Sequence, residues 1–253
     1  MQTILETKGI KKQFGKNKKM TVLNNITLTV KEGEFVSIMG PSGSGKSTLL
    51  YTLSGMDQIS DGSVVLDGQE LATLTEKQLA ELRLTKMGFI FQNHHLLKNL
   101  TLFDNIILSA YLSKKDSRKK VNRKASELMK KTGISQLKSH DLTQASGGQL
   151  QRVAICRSLI NEPRILFGDE PTGSLNSQSA TDIMSLLKTI NESGTTILLV
   201  THDQKVAAKT ERVLYMIDGE IVGEKLLQKF DGKSESLQKR EESLATWLRK
   251  MGF

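Results

Sequence analysis

The sequence predicts an α/β fold with a mostly parallel sheet and a helical lobe inserted into the chain. Short apolar runs at 35–39, 164–169 and 195–200 lie between turn residues, as expected for buried parallel strands. Residues 179–190, between the last two runs, have the apolar spacing of a helix. The segment 96–159 is instead polar, lysine-rich and prone to helix, which indicates a separate lobe within the α/β body.

Length and composition are those of an ordinary globular chain. Its 253 residues, 38% hydrophobic and 25% charged, suit one large domain or a domain with an inserted lobe. The formal charge of +9 favours anionic partners: nucleotides, acidic membrane surfaces or nucleic acids. A single cysteine, Cys156, excludes an intrachain disulfide and fits a reducing compartment. No stretch approaches the roughly 18 apolar residues of a membrane span, and we expect no secretory signal.

The first third of the chain is predicted to contain strands that lead into a glycine-rich loop. Residues 21–30 alternate apolar and polar side chains near their end, a turn follows at 31–34, and 35–39 form an apolar strand. Glycines then interrupt the chain at 40–45, and 47–53 have the pattern of a helix. The order is therefore strand, glycine loop, helix.

This loop matches the complete G-x-x-x-x-G-K-S motif of a P-loop, in the run Gly40-Pro41-Ser42-Gly43-Ser44-Gly45-Lys46-Ser47. The glycines let successive backbone N–H groups converge on phosphate oxygens, and the helix that follows adds the positive end of its dipole. Lys46 is expected to reach the β- and γ-phosphates and the Ser47 hydroxyl to ligate Mg²⁺, with Thr48 beside them. The motif predicts a nucleotide site in a P-loop NTPase core.

A basic run lies in the predicted helical lobe. Its lysines and arginines follow closely on one another: Lys114, Lys115, Arg118, Lys119, Lys120, Arg123 and Lys124. Such runs are usually the solvated face of a helix. Contact with anionic lipid headgroups is the alternative.

A second chemical element ends the apolar run at 164–169. Asp169 is the last residue of that predicted strand, where it would lie beside the P-loop and hold Mg²⁺ through water. Glu170 follows directly and is the candidate general base for the attacking water. An apolar strand that ends in an acid is a weak signal alone, but the upstream P-loop strengthens it.

The end of the chain is predicted to be an amphipathic helix. Beyond residue 222 the sequence becomes polar, while Leu237, Leu244, Trp247, Leu248 and Met251 recur at a spacing compatible with a helix. We expect this helix to pack on its own domain; a membrane or a membrane protein is the alternative partner.

A third element, Ser146-Gly147-Gly148-Gln149, precedes a clean helical pattern at 153–159. A serine and two glycines at a helix N-terminus form another phosphate-binding device, which one chain does not need unless it serves the nucleotide of a neighbour. With this run between the P-loop and the acidic strand, the sequence resembles the ABC transporter ATPases over nearly its whole length. The resemblance implies a P-loop NTPase core with a mostly parallel sheet, an antiparallel β subdomain and the inserted α-helical lobe.

The resemblance assigns roles to four further residues. Phe14 lies where the family stacks an aromatic ring on adenine, and Gln92 matches the glutamine that senses the γ-phosphate and Mg²⁺. His202 matches the switch histidine that contacts the γ-phosphate. Asn176 departs from the family, which usually has aspartate at this position of the D-loop; the amide keeps the hydrogen bonding but loses the charge.

Together these inferences define the expected site. ATP and Mg²⁺ are the expected ligands. The predicted catalytic residues are Lys46, Glu170 and His202, and the predicted metal site consists of Ser47, Gln92 and Asp169. The remaining nucleotide contacts come from Phe14, the P-loop with Thr48, and the signature segment Ser146, Gly147, Gly148 and Gln149.

Within the family, the sequence resembles one subgroup. The run 82–92 (LRLTKMGFIFQ), with Leu96-Leu97 and Leu100-Thr101 after it, resembles the ATPases of lipoprotein release, macrolide export and bacitracin-type peptide resistance. The polar tail and the lysine-rich composition are similar to the peptide-resistance branch. This predicts an ATP-hydrolysing subunit that powers a separate permease for antimicrobial peptide export, detoxification or resistance.

Three alternatives stay open. The chain could serve lipoprotein release or macrolide export, or it could be a cell-division ATPase that regulates wall hydrolysis without transport. It could also be a soluble ABC protein that works on nucleic acid without a permease, as the charge of +9 would allow. A single nucleotide domain and the lack of long coiled-coil heptads argue against that third alternative.

The resemblance also implies partners and a location. The partners are a permease with a large extracytoplasmic domain and a second copy of the chain in a head-to-tail dimer, with no nucleic acid. The location is the cytoplasmic face of a bacterial membrane, as a peripheral protein. We expect an ATPase domain over 1–228, with its helical lobe at about 96–159, and a C-terminal helical extension over 229–253.

Overall fold

In the computed structural model, which describes residues 2–15 and 19–252, the chain forms two sheets flanked by helices. The strands are β1 (Thr3–Phe14), β2 (Met20–Lys31), β3 (Phe35–Met39), β4 (Asp61–Leu66), β5 (Gln69–Glu70), β6 (Met87–Phe91), β7 (Ile165–Asp169), β8 (Thr196–Val200), β9 (Arg212–Ile217) and β10 (Glu220–Leu226). The helices are α1 (Lys46–Leu53), α2 (Glu76–Lys86), α3 (Leu102–Ser113), α4 (Arg118–Lys131), α5 (Gly147–Leu159), α6 (Ser177–Glu192), α7 (Gln204–Ala207) and α8 (Ser234–Lys250). Short 3₁₀ turns lie at Leu71–Thr73, Ser135–Leu137 and Leu142–Gln144.

The larger sheet has six strands in the order β10-β9-β3-β8-β7-β6. The four pairs from β9 to β6 are parallel, and β10 joins β9 as an antiparallel edge strand. Strands β3 and β8 are buried at every residue. Their continuous apolar sequences follow from this position, because helices or the second sheet cover both faces of a central parallel strand.

The second sheet is antiparallel, in the order β2-β1-β4-β5. Strands β1 and β2 are each twelve residues long and alternate buried with exposed side chains over much of their length. Their inward side chains, with those of α1, pack on one face of the larger sheet and form its main apolar core. The predicted α/β fold, with a mostly parallel sheet and an antiparallel β part, is confirmed.

The opposite face of the parallel sheet is covered by α5 and α6. Ile155 of α5 and Ile183, Met184 and Leu187 of α6 pack against Leu166 of β7 and its neighbours. Helices α3, α4 and α5 share a further apolar core of their own, centred on side chains such as Ile106, Ala125 and Cys156. Because α5 contributes to both cores, it connects the helical region rigidly to the sheet.

The C-terminal helix packs against the body of the same chain. Leu244 and Leu248 of α8 are fully buried in a cluster with Tyr215 of β9. Arg240 is nearly buried as well, and its guanidinium donates to the carbonyls of Ala208 and Thr210 at 2.7 and 2.6 Å and to that of Leu227. The amphipathic pattern of α8 therefore corresponds to burial within this chain.

Among the described residues, no helix combines the length and the apolar character that crossing a membrane requires.

Candidate active site

Four neighbouring parallel strands end at one edge of the sheet, and the predicted site residues follow them. The P-loop begins at Gly40 directly after β3, and His202 comes two residues after β8. Asp169 ends β7 with Glu170 behind it, and Gln92 follows β6. Since these strands are adjacent in the order β3-β8-β7-β6, residues that are distant in sequence converge along one line. The carboxyl edge of an open α/β sheet is a common position for ligand sites.

Two glycines of the loop stand where a side chain does not fit. A Cβ on Gly40 would lie 2.1 Å from the carbonyl oxygen of Met216, and one on Gly45 would lie 2.9 Å from that of Val22. Gly45 also has a φ of 96° and serves as the N-cap of α1 without a side-chain cap. The loop therefore passes close to strands β9 and β2. Because no side chain caps α1, the backbone N–H groups of its first turn can donate hydrogen bonds to a ligand.

The rest of the loop contains an unpartnered hydroxyl. Pro41, Ser42 and Gly43 form its exposed tip, whereas Ser44 is buried and its Oγ has no hydrogen-bond partner among the described residues. Thr48, in the first turn of α1, is half-buried. Together with the uncapped helix, this arrangement fits an anion that would accept hydrogen bonds from the loop.

The Lys46 ammonium is folded back over the loop. Its Nζ donates to the carbonyl oxygens of Gly40 at 2.9 Å and Pro41 at 2.7 Å, and the residue is almost buried. Burial lowers the pKa of Lys46, while the negative charges of Glu170 and Asp169 act in the opposite direction. A cation held here, near two carboxylates and uncapped amides, is placed to neutralise phosphate charge.

Asp169 joins the P-loop to β7. Its Oδ1 accepts a hydrogen bond from Ser47 Oγ at 2.8 Å, and its Oδ2 accepts one from Tyr51 OH at 2.6 Å. Burial, together with this bond to Asp169, raises the pKa of Tyr51 to about 12, so the phenol stays a donor. A hydroxyl and a carboxylate oxygen side by side are the hard ligands that suit Mg²⁺.

Glu170 is held in an unusual backbone conformation. Its φ is 49°, in the left-handed region that non-glycine residues rarely adopt. Its N–H donates to Val200 O at 3.1 Å, and its carbonyl accepts from Gly173 N at 3.0 Å. The Glu170 side chain is 16% exposed, and its Oε1 lies 2.8 Å from Nδ1 of His202, which is 68% exposed. The fold thus fixes this carboxylate at the sheet edge, facing the imidazole.

Gln92 lies on an exposed loop against the segment after Glu170. Ser174 Oγ donates to the carbonyl of Gln92 at 3.2 Å, and a Cβ on Gly173 would come within 3.0 Å of Gln92 Nε2. The amide side chain of Gln92 therefore stands next to the loop that leaves β7. No described hydrogen bond joins it to Ser47 or Asp169.

The signature segment forms the start of α5. Ser146 is the N-cap, with a reciprocal capping box in which Ser146 Oγ accepts from Gln149 N at 3.3 Å and Gln149 Oε1 accepts from Ser146 N at 2.8 Å. A Cβ on Gly148 would lie 3.1 Å from Ser179 Oγ of α6, whereas one on Gly147 would meet only Leu175 at 3.6 Å. Within the described chain, no hydrogen bond joins this segment to the P-loop.

Phe14 ends β1 with its side chain 42% exposed. The Nζ of Lys12 lies 4.7 Å from the centroid of its ring. Lys12 is itself buried, and its ammonium donates to Asp57 Oδ1 at 2.5 Å and to Gln58 O at 2.6 Å. One face of the ring is thus backed by an anchored cation.

Several residues that support this site could not be singled out from sequence patterns. Tyr51, Lys12 and Gln151 are examples: Gln151 is fully buried, donates from Nε2 to Pro171 O at 2.7 Å and contacts Nδ1 of His94 through Oε1. The only available signal for Gln151 was a polar residue at a helical position otherwise occupied by apolar side chains. Asn176 proves to be the N-cap of α6, where its Oδ1 accepts from Ser179 N at 2.8 Å.

The comparisons with known proteins agree with this geometry. The sequence pattern of the family described as "ABC transporter" matches residues 23–173, more than half of the chain. The macrolide export ATP-binding/permease protein MacB of Pasteurella multocida is 42% identical over 224 residues, which cover 88% of this chain and 34% of that protein. The chain thus spans about a third of the length of the first relatives that it matches.

Other relatives match over most of both chains. The bacitracin export ATP-binding protein BceA of Halalkalibacterium halodurans is 44% identical over 220 residues, covering 86% of this chain and 87% of that protein. Proteins named for lipoprotein release also match, so the predicted subgroup is confirmed.

Among solved structures, the ATP-binding cassette MJ0796, described as a dimer in a post-hydrolysis state bound to ADP and Pi, is 39% identical. It superposes with a TM-score of 0.83 and covers 89% of this chain and all of that one. The chain therefore belongs to the ABC transporter family, as one of its ATP-binding ATPases.

Proposed function

We propose that two copies of this chain bind ATP between them, hydrolyse it with the help of Mg²⁺, and drive a separate membrane permease. The observation that carries the proposal is the line of groups along one sheet edge: the P-loop, His202, the Asp169–Glu170 pair and Gln92 follow four adjacent strands. Phosphate-binding, metal-binding and basic groups are the parts that phosphoryl transfer to water needs.

The P-loop and Phe14 would hold the nucleotide. The amides of residues 40–48 and the uncapped start of α1 would donate to phosphate oxygens. Lys46 would exchange its bonds to Gly40 and Pro41 for bonds to the β- and γ-phosphates. The free face of Phe14, opposite Lys12, would stack on adenine.

Ser47 and Asp169, 2.8 Å apart, would hold Mg²⁺, with Gln92 as a further oxygen donor. When bound, the ion would neutralise charge that develops on the phosphates. Glu170 would accept a proton from the attacking water as general base. His202, 2.8 Å from that carboxylate, would orient it and approach the γ-phosphate.

The second copy would complete the site. Ser146–Gln149 forms an exposed helix start that makes no hydrogen bond to its own P-loop within the described residues, so its free groups suit the nucleotide of a partner in a head-to-tail arrangement. The dimer described for the related cassette supports this. The two copies would close on ATP and reopen after hydrolysis, and this movement would be transmitted to the permease.

The permease would bind at the cytoplasmic face of a bacterial membrane and would have a large extracytoplasmic domain. Relatives whose names join ATP-binding and permease parts support a membrane partner. We divide the chain into an ATPase domain over 1–228, which includes the lobe at 96–159, and an extension over 229–253. In this division α8 remains docked on the ATPase domain through Arg240, Leu244 and Leu248.

For the cargo, we propose antimicrobial peptides. The bacitracin export relative supports this branch, since it is 44% identical and matches over most of both chains. Deletion of the gene should then lower resistance to bacitracin-type peptides. Unchanged peptide resistance with increased macrolide sensitivity, or with lipoproteins retained in the inner membrane, would assign the chain to one of the other two branches instead.

The nucleotide site is tested by Lys46→Ala, with the exposed Lys77→Ala of α2 as a matched control for the loss of a lysine. Lys46→Ala should abolish ATP binding measured by calorimetry and leave the circular dichroism spectrum unchanged, because it removes the cation nearest the phosphates. Lys77→Ala should bind ATP normally. Normal affinity in Lys46→Ala would refute the site.

A further inference from the structure

The positive charge of the chain is concentrated in one segment. Residues 114–131 contain nine Lys or Arg and two Asp or Glu, a formal charge of +7 out of the +9 of the whole chain. The rest of the protein is therefore close to neutral. This segment comprises the whole connection between α3 and α4, residues 114–117, and the whole of α4.

The geometry of α4 places its cations on the outer surface. Val121, Ala125 and Met129 are buried at a spacing of four residues and bind the helix to the lobe core. Lys119, Arg123 and Lys130 lie on the opposite side, and all three are exposed. Because one stripe anchors the helix and the other faces solvent, the basic face is rigidly presented.

Most of these cations are not neutralised by the protein. Lys120, Arg123 and Lys124 have ion pairs, with Asp116, Glu127 and Glu162 respectively. Over the described residues, the other six make none: Lys114, Lys115, Arg118, Lys119, Lys130 and Lys131. A surface of six uncompensated cations is a strong attractor for polyanions.

Two exposed apolar side chains lie on α3, the helix that leads into this basic segment. Leu108 and Leu112, one helical turn apart on α3, are 37% and 63% exposed. Ser113 alone separates Leu112 from Lys114 and Lys115. Leucines next to lysines are typical of a surface that lies on a bilayer, where apolar side chains enter the interface and cations meet headgroups.

We propose that this surface, formed by α4, residues 114–117 and the Leu108–Leu112 side of α3, binds an anionic lipid bilayer directly. The contact is made by this chain itself and does not depend on which permease it serves. A nucleic acid would satisfy the cations but would leave Leu108 and Leu112 exposed, so a bilayer fits the whole surface better. The nucleotide site, at the carboxyl edge of the sheet, uses none of these residues.

The expected strength can be estimated per charge. A lysine or arginine near an anionic membrane surface contributes roughly a five-fold gain in partition coefficient. Removal of three unpaired cations should therefore reduce binding on the order of a hundred-fold. The attraction should weaken as ionic strength rises, because salt screens exposed charges beyond about 10 Å at 0.1 M.

The test is co-sedimentation of the full chain with phosphatidylcholine vesicles, with or without phosphatidylglycerol. One variant combines Lys114→Gln, Lys119→Gln and Lys130→Gln. The matched control combines Lys77→Gln, Lys239→Gln and Lys250→Gln, which removes the same net charge from exposed lysines elsewhere. The wild type should bind only the anionic vesicles, the first triple variant should lose that binding, and the control should keep most of it.

A third variant, Leu112→Ser, separates a bilayer from other polyanions: it should weaken binding to vesicles and leave retention by a heparin or DNA column unchanged. Equal losses in the two triple variants would overturn the proposal, because net charge alone would then explain the binding. The surface would instead be assigned to nucleic acid by two results together. Leu112→Ser would leave vesicle binding unchanged, and the first triple variant would abolish DNA binding. ATP hydrolysis by all variants in solution should match the wild type.

Discussion

Nδ1 of His202 lies 2.8 Å from Oε1 of Glu170, so the residues that follow β8 and β7 are directly joined. The carboxylate is largely shielded and the imidazole is exposed. Strand pairing between Asp169 and Val200 brings the two together, and the left-handed backbone of Glu170 turns its side chain toward the histidine. In the proposed mechanism this left-handed conformation would hold the Glu170 carboxylate in place for the attacking water, since strained backbone positions cluster at functional sites.

The composite site predicts different effects for the P-loop and the signature segment. Ser146→Arg should leave ATP binding by the isolated chain nearly unchanged, because Ser146 makes no hydrogen bond to its own P-loop within the described ranges. Hydrolysis should stop, since the bulky cation would block the nucleotide of the partner. Calorimetry and phosphate release measure the two effects. Wild-type turnover in this variant would exclude the head-to-tail dimer.

Lys12 is predicted to support adenine binding through Phe14. Lys12→Met keeps an unbranched side chain but removes the cation behind the Phe14 ring. The affinity for ATP should therefore fall by about two- to ten-fold, the usual range of a cation–π contact. Affinity for inorganic tripolyphosphate, which has no base, should not change. In a Phe14→Ala background, Lys12→Met should have no further effect. If Lys12→Met lowered the affinity for ATP equally in the wild-type and Phe14→Ala backgrounds, Lys12 would act on binding by a route other than Phe14.

His94 is predicted to make stability depend on pH. Burial lowers the pKa of His94 below its ordinary value, and the nearby Arg157 acts in the same direction, against the bond to Gln151. Below about pH 6.5 the unfolded chain therefore binds a proton that the folded chain does not, so acidification lowers the free energy of unfolding. The free energy of unfolding stops falling once the pH is below the lowered pKa of His94 in the folded chain. His94→Asn should reduce the difference in urea unfolding between about pH 7.5 and about pH 6; an unchanged difference would refute this assignment.

Arg240 is predicted to fix the C-terminal helix. Its guanidinium donates to four backbone carbonyls, those of Ala208, Thr210, Leu227 and Gln228. Arg240→Met keeps much of the apolar contact but leaves the buried carbonyls without donors, at a cost of about 2–4 kcal/mol in the free energy of unfolding. Lys239→Met, one residue earlier and exposed, is the control and should cost little. If chemical unfolding showed the same loss of free energy for Arg240→Met and Lys239→Met, the anchoring role of Arg240 would be contradicted.

The sequence was sufficient for the parallel core because buried strands have a simple signature. The apolar runs at 35–39, 164–169 and 195–200 correspond to β3, β7 and β8 within one residue. No strand was assigned to Thr3–Phe14: Glu6, Lys8 and Lys11 on its less buried side and the buried Lys12 together weaken the apolar pattern. Residues 96–101, assigned to the helical lobe, precede α3 as a loop, since Thr101 is the N-cap.

In the candidate site, sequence motifs located the predicted site residues but not the side chains that hold them in place. The P-loop run and the Asp169–Glu170 pair stood out because each is contiguous in sequence. The contacts of Tyr51 with Asp169 and of Lys12 with Phe14 and Asp57 depend on strand order and register, which local patterns do not encode. Likewise, the cap that Asn176 provides for α6 shows that an amide at this position has a structural use in the chain itself.

The central claim is that ATP bridges two copies of this chain and that Glu170 then activates water. Glu170→Gln keeps the size and hydrogen bonding of the side chain but removes the base, which should slow hydrolysis by about 10²–10⁴-fold. Lys46, Ser47 and Asp169 remain to bind the nucleotide. Light scattering with ATP should therefore show the mass of the variant double from 28.1 kDa, and ADP should not produce the change. A variant that stays monomeric with bound ATP, or one that turns over within a few-fold of the wild type, would contradict the account.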